Sequence, residues 1–163
     1  MENVYLNVYL IDTCSLIDLK NGYPREKYPE LWESIENLIR QGRLIIIEEV
    51  AKEIKQRADE LSKWIKNLNR FIRKPTQKTI SFHKEILDKH RNMLKDKPSH
   101  LNADPFLIAE ALAIQHESLF PPQVIIVTEE SPNKNDSIPK VCQEYQIACT
   151  NLLGLFKMEG WKF

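Results

Sequence analysis

The sequence predicts an α/β fold built on a parallel sheet, and three observations carry that prediction. Apolar runs occur at residues 4–11 (VYLNVYLI), 44–47 (LIII) and 124–127 (VIIV). They are largely continuous and not alternating, as strands covered on both faces require. Stretches with helical apolar spacing separate them, and that alternation is the pattern of a parallel sheet between two helical layers.

Taken in order, the first strand is rich in β-branched and aromatic residues and stops at Asp12. A helix begins over residues 16–20 and is broken by Asn21-Gly22. Residues 23–30, with Pro24 and Pro29, read as a polar loop. Leu31, Ile35, Leu38 and Ile39 repeat at helical spacing, and Gly42 ends that helix. After the second strand, Val50, Ile54, Leu61, Ile65, Leu68 and Ile72 fall on one stripe and predict a single long amphipathic helix running up to Pro75. Phe82, Ile86 and Met93 or Leu94 mark another helix, and residues 96–102 a loop. Asp104-Pro105 opens a nearly all-apolar helix through Ile114, with Asp104 as its cap. Past the third strand come a polar loop (131–139), a short helix (141–145) and an edge strand (146–149). A last helix is capped by Thr150 and ends near Gly160.

The 163 residues suit one domain spanning 1–163. Apolar residues at 42% and charged residues at 28% are those of an ordinary globule, and no run reaches the roughly 20 apolar residues of a membrane helix. The N-terminus lacks the basic region and cleavage site of a secretory signal, so a cytoplasmic protein with no membrane partner is expected. Cys14, Cys142 and Cys149 form no C-x-x-C pair and read as reduced, small buried hydrophobes. The four histidines form no H-E-x-x-H pair, which argues against zinc.

The net charge is zero, but its distribution is uneven. Residues 52–97 hold 14 Lys and Arg against 6 Asp and Glu, a local excess of +8, and the remainder carries −8. A chain divided this way can offer a basic surface to a polyanion beside an acidic site for a cation. Lys66, Arg70, Arg73 and Lys74 cluster near the end of the basic stripe and are the candidates for gripping a phosphate backbone.

In parallel α/β sheets, sites form beyond the carboxyl ends of the strands. Asp12 ends the first strand, Glu48, Glu49 and Glu53 follow the second, and Glu129 and Glu130 follow the third. Asp104 opens the apolar helix. Each of these has a bland reading as a cap, a dipole partner or a solvated residue; the functional reading rests on their convergence. Clustered carboxylates repel unless a cation neutralises them, and oxygen-only donors select Mg2+ or Mn2+. At about 100° per residue, Glu53 borders the apolar stripe, whereas Glu49 is expected to face water.

Four segments, in order, resemble the acidic motifs of PIN-domain nucleases: Tyr9-Leu10-Ile11-Asp12-Thr13-Cys14, Val50-Ala51-Lys52-Glu53-Ile54, Ala103-Asp104-Pro105-Phe106 and Val127-Thr128-Glu129-Glu130. The likeness covers about residues 4–156 and is nearest to the VapC-like toxin branch, with an uncharacterised subgroup sharing Ile138-Pro139 to Cys142. It implies a three-layer α/β/α PIN-like domain around a central parallel sheet. It also implies hydrolysis of RNA with Mg2+ or Mn2+ held by Asp12, Glu53, Asp104 and Glu130, a homodimer, and an antitoxin protein as partner. Cys14 stands where the family often has Asn, and the fourth acid is Glu where Asp is usual. Glu130 is preferred to Glu129 because it lies two residues past Thr128, the first residue after the strand, and shares a side with it.

Other acid-bearing folds fit less well. A haloacid-dehalogenase-type phosphatase needs a second aspartate where Cys14 stands. A von Willebrand-type adhesion site needs serines at 14 and 16, and a receiver domain needs paired acids after the first strand and a late lysine. The alternative of another class is a catalytically inactive PIN-fold module that binds nucleic acid or protein.

Overall fold

The computed structural model describes residues 6–93 and 102–163. Four parallel strands form one sheet in the order β2-β1-β3-β4. These are β1 (Asn7–Ile11), β2 (Leu44–Ile45), β3 (Gln123–Val127) and β4 (Ala148–Thr150). β1 and β3 pair along their full length, from Asn7↔Gln123 to Ile11↔Val127. Tyr9, Leu10 and Ile11 are all fully buried. Successive strand residues point to opposite faces, so both faces of the sheet are covered. The expected α/β/α arrangement with a central parallel sheet is therefore present.

The helices are α1 (Thr13–Gly22), α2 (Pro29–Arg40), α3 (Glu48–Lys55), α4 (Glu60–Asn67), α5 (Gln77–Lys89), α6 (Ala103–His116), α7 (Ile138–Glu144) and α8 (Leu152–Met158). α6 is the central helix. Leu107, Ile108, Ala109, Ala111 and Ala113 are each fully buried, which explains its nearly unbroken apolar sequence. α2 ends as expected at Gly42, whose φ of 72° is the left-handed conformation that glycine adopts without strain.

Four local expectations are corrected. The stripe over residues 50–72 is not one helix: α3 stops at Lys55, α4 restarts at Glu60, and Asn69–Phe71 form a separate 3₁₀ turn. The break is made by Asp59, which caps α4 by accepting from Ser62 N at 3.1 Å and is held by Lys20 and Arg57. The last helix is capped by Asn151, which accepts from Gly154 N at 2.9 Å, while Thr150 belongs to β4. Gly154 is required there, since a Cβ would lie 1.8 Å from Thr150 Oγ1. α6 begins at Ala103 with Asn102 as its cap residue, so Asp104 lies inside the first turn. Finally, Cys142 is buried and Cys149 half-buried, but Cys14 is exposed on the outer side of α1. The first strand is described from Asn7, and the start predicted at residues 4–5 lies outside the described residues, as does most of the 96–102 loop. Among the described residues, no helix is long and apolar enough to cross a membrane.

Candidate active site

The carboxyl edge of the sheet carries the acids, and Asp12 is its best-defined member. It leaves β1 between the two central strands, with its N–H donating to Val127 O at 3.0 Å. Its Oδ1 accepts from Ser15 N at 2.7 Å, capping α1, and its Oδ2 accepts from Thr128 Oγ1 at 2.6 Å. The residue is 3% exposed. Burial pushes its carboxyl up to about 6; the hydrogen bonds from Ser15 and Thr128 oppose that rise, and the nearby charge of Asp104 adds to it. Asp104 thus stands near enough for its charge to act on Asp12. Directly after Asp12, the enclosed hydroxyl of Thr13 has no hydrogen-bond partner among the described residues.

Glu53 reaches the same corner from α3. Its Oε1 accepts from Ala103 N at 2.9 Å, capping the start of α6 one residue before Asp104. Glu49, expected to face water, is 7% exposed; burial raises its carboxyl, and Glu48 and Glu110 add to the effect. Its helical phase is as expected, about 100° from Val50. The cover comes from outside α3, where the segment at Arg73 pairs with the chain at Ile47 and Glu48, and Glu110 of α6 stands close enough to act on the Glu49 carboxyl.

The third strand delivers two glutamates that part company. Glu129 Oε1 accepts from Leu152 N at 2.8 Å at the start of α8. Glu130 Oε2 accepts from Ile138 N at 3.1 Å at the start of α7, and its own N–H donates to Thr128 Oγ1 at 3.1 Å. Thr128 therefore joins Asp12 to the backbone of Glu130, while each glutamate carboxylate occupies a helix N-terminus, where negative charge is favoured.

Among the described residues no three His, Cys, Asp or Glu side chains gather as a ready-made ion cage. The acids at the corner, Asp12 and the nearby Asp104, nonetheless offer only oxygen donors. That set fits Mg2+, which characteristically takes one or two protein carboxylates and fills its remaining positions with water and phosphate oxygens.

Of the four predicted cations, Arg73 is the one engaged in buried ion pairing. Its Nε binds Glu110, which is 1% exposed and also accepts from Thr79 Oγ1 at 2.6 Å, and its second nitrogen contacts Glu117 at 3.3 Å. A guanidinium so occupied serves the fold. The sequence hid this because Glu110 lies 37 residues away inside an apolar helix. Lys66, Arg70 and Lys74 are exposed, but only Arg70 and Lys74 share a concavity, and its other cations are Lys52 and Lys55. Sequence reasoning assigned Ser15 and Thr128 no part in orienting Asp12; a polar residue at a strand end opposite an acid was the available signal for Thr128.

The central parallel sheet flanked by helices is a VapC-like PIN-domain fold. The chain belongs to the family described as domain of unknown function (DUF4411), which matches residues 9–163. No functionally curated protein matches by sequence. In fold, the chain is similar to VapBC-1 from nontypeable Haemophilus influenzae, with a TM-score of 0.52 and 12% identity, over 88% of this chain and 97% of that one. It also aligns with VapBC2 from Rickettsia felis, solved bound to a DNA fragment from its promoter, with a TM-score of 0.48 and 14% identity, over 88% and 98% of the two chains.

Proposed function

We infer that the protein is a metal-dependent endoribonuclease, with residues 1–163 acting as one nuclease unit in the cytoplasm, and that it is the toxin of a toxin–antitoxin pair. The observation that carries this reading is the buried Asp12, held by Ser15 and Thr128 at the end of a central strand and within reach of the charge of Asp104. The VapC-like fold supports it, and the basic excess over residues 52–97 supplies a surface for RNA.

Asp12 and Asp104 would hold Mg2+ or Mn2+, with Glu53 and Glu130 completing the acidic set. Such an ion, when bound, polarises a phosphodiester and lowers the pKa of coordinated water. The chain's own residues do the positioning. Ser15 and Thr128 fix both oxygens of Asp12, so its carboxylate is aimed before any ligand arrives. Glu53 ties α3 to the first turn of α6 and so sets where Asp104 stands.

Purified protein is incubated with a pool of structured RNAs and Mn2+. Cleavage that leaves 5′-phosphate ends, is abolished by chelator, and is lost in Asp12→Asn and Asp104→Asn supports the reading. A wild-type rate in either variant removes that residue from the site. A second reading, a PIN-fold module that binds without cutting, draws on the engagement of Glu53, Glu129 and Glu130 at helix starts. It predicts no thermal stabilisation by Mn2+, whereas an ion-binding corner gains stability with concentration over affinity. The antitoxin and homodimer readings are tested by co-purification with the product of the neighbouring gene and by light scattering.

A further inference from the structure

We propose that the concave surface between α3 and residues 69–74 is a phosphate-binding groove that holds a polynucleotide backbone next to the acidic corner. The identity of the polyanion rests on the nuclease reading above. Lys52, Lys55, Arg70 and Lys74 line one concavity of about 320 Å3, in which Glu48 is the only lining carboxylate. Four cations thus meet one anion in a chain whose net charge is zero.

These cations are weakly engaged by the protein. Lys52 approaches Glu48 at 3.8 Å. Lys55 Nζ donates to the neutral amide of Asn69 at 3.0 Å, and the Arg70 guanidinium sits 4.6 Å from the Phe71 ring centre. Lys74 is exposed. Like charges so grouped repel, and phosphates that enter among them relieve the repulsion while releasing their own counterions.

The groove's position follows from the backbone. Arg73 N donates to Ile46 O at 3.0 Å and Glu48 N to Arg73 O at 2.9 Å, so residues around Arg73 run beside the chain leaving β2 for the acidic edge. Arg73 turns its side chain away into Glu110 and anchors this segment, leaving Arg70 and Lys74 to the groove. The other wall is α3 itself, through Lys52 and Lys55, and the same helix carries Glu53, whose carboxylate meets the start of α6. Groove and acidic corner thus share α3.

The test is fluorescence anisotropy of a 5′-fluorescein single-stranded RNA 12-mer in EDTA, from 50 to 400 mM KCl. The Lys55→Gln/Lys74→Gln protein is compared with Lys157→Gln/Lys162→Gln, which removes the same charge from the C-terminal region. The groove pair should weaken binding about tenfold at low salt and flatten the log–log salt slope by about 1.4, at about 0.7 per phosphate contact; the control pair should change affinity less than about twofold. The melting temperature of the groove pair should hold or rise, which separates lost contacts from unfolding. Equal weakening in both pairs, an unchanged slope, or no binding by the wild type overturns the groove. Groove-dependent binding without cleavage under Mg2+ or Mn2+ sinks the nuclease reading and leaves the groove standing. Cleavage with an unchanged KM in the groove pair does the reverse.

Discussion

Thr128 Oγ1 donates to Asp12 Oδ2 at 2.6 Å across 116 residues of sequence, and the same hydroxyl accepts from Glu130 N at 3.1 Å. One buried hydroxyl thus fixes the orientation of the key acid and the path of the chain leaving β3. Thr128→Val keeps the shape and removes both bonds. It should lower cleavage about tenfold or more, a loss of one hydrogen bond to a charged group, while Thr128→Ser should restore most of it. Equal rates in the Val and Ser variants would reduce Thr128 to packing.

Asp12 also gives the metal-free protein a particular pH response. Its folded pKa of about 6 lies above the roughly 3.9 of an unfolded aspartate, so between those values the native state binds more protons. Stability from this group is therefore greatest below about pH 4, falls as pH rises through about 6, and is level above. In EDTA, Asp12→Asn should remove that slope; the relief of about 3 kcal/mol of charge burial is partly offset because the amide's single oxygen cannot accept from both Ser15 N and Thr128 Oγ1, so Tm at pH 7.5 should rise by about 2–6 °C. Denaturation from pH 4 to 8 reads the difference; parallel wild-type and variant curves count against it.

Glu53→Gln and Glu49→Gln test which α3 acid serves the site. In Glu53→Gln the side-chain amide oxygen can still accept from Ala103 N, so the fold should hold while cleavage falls about tenfold or more. Glu49 has a carboxyl raised by burial, and its amide variant should be as stable as the wild type or more so, with nearly full activity. The larger activity loss at Glu49 would move the ligand there.

Glu130→Gln should raise the Mn2+ concentration for half-maximal cleavage, and Glu129→Gln should leave it unchanged. Only Glu130 is joined through its backbone to the Thr128 hydroxyl that holds Asp12. A shift in Glu129→Gln alone transfers the role.

Arg73→Gln should destabilise the protein by about 3 kcal/mol, because it strands the buried Glu110. Its RNA affinity, measured below the new melting transition, should keep the wild-type salt slope. A reduced slope would return Arg73 to the phosphate-contacting set.

The parallel sheet was legible because β1 and β3 are unbroken apolar runs, and only strands covered on both faces take that form. Asp12 and Asp104 were legible from where they fall, at a strand end and in a helix's first turn. The inward turn of Glu49 was not. Helical phase places Glu49 off the apolar stripe, and an element's own spacing does not report a neighbouring segment, here the chain at Arg73 and Glu110 of α6, that covers it. The ion pair of Arg73 was hidden for a related reason: its buried partner Glu110 lies in an otherwise apolar stretch, and charge counting along the chain cannot register a pair formed across it. The helix caps at Glu53, Glu129 and Glu130 were hidden likewise, since each bonds an N–H contributed by a distant helix.

The pairing of β1 with β3 has a consequence for the order in which the protein can come into being. Asp12 is made well before its partners: the carbonyl of Val127 and the hydroxyl of Thr128 that hold it are made 115 and 116 residues later. At about 5–20 residues per second, the ribosome takes roughly 6–23 s to cover that distance. Through that interval β1 has no β3 beside it and the acidic corner does not exist. A product cut short before Gln123 never assembles it, so the corner arises only on chains translated past β3.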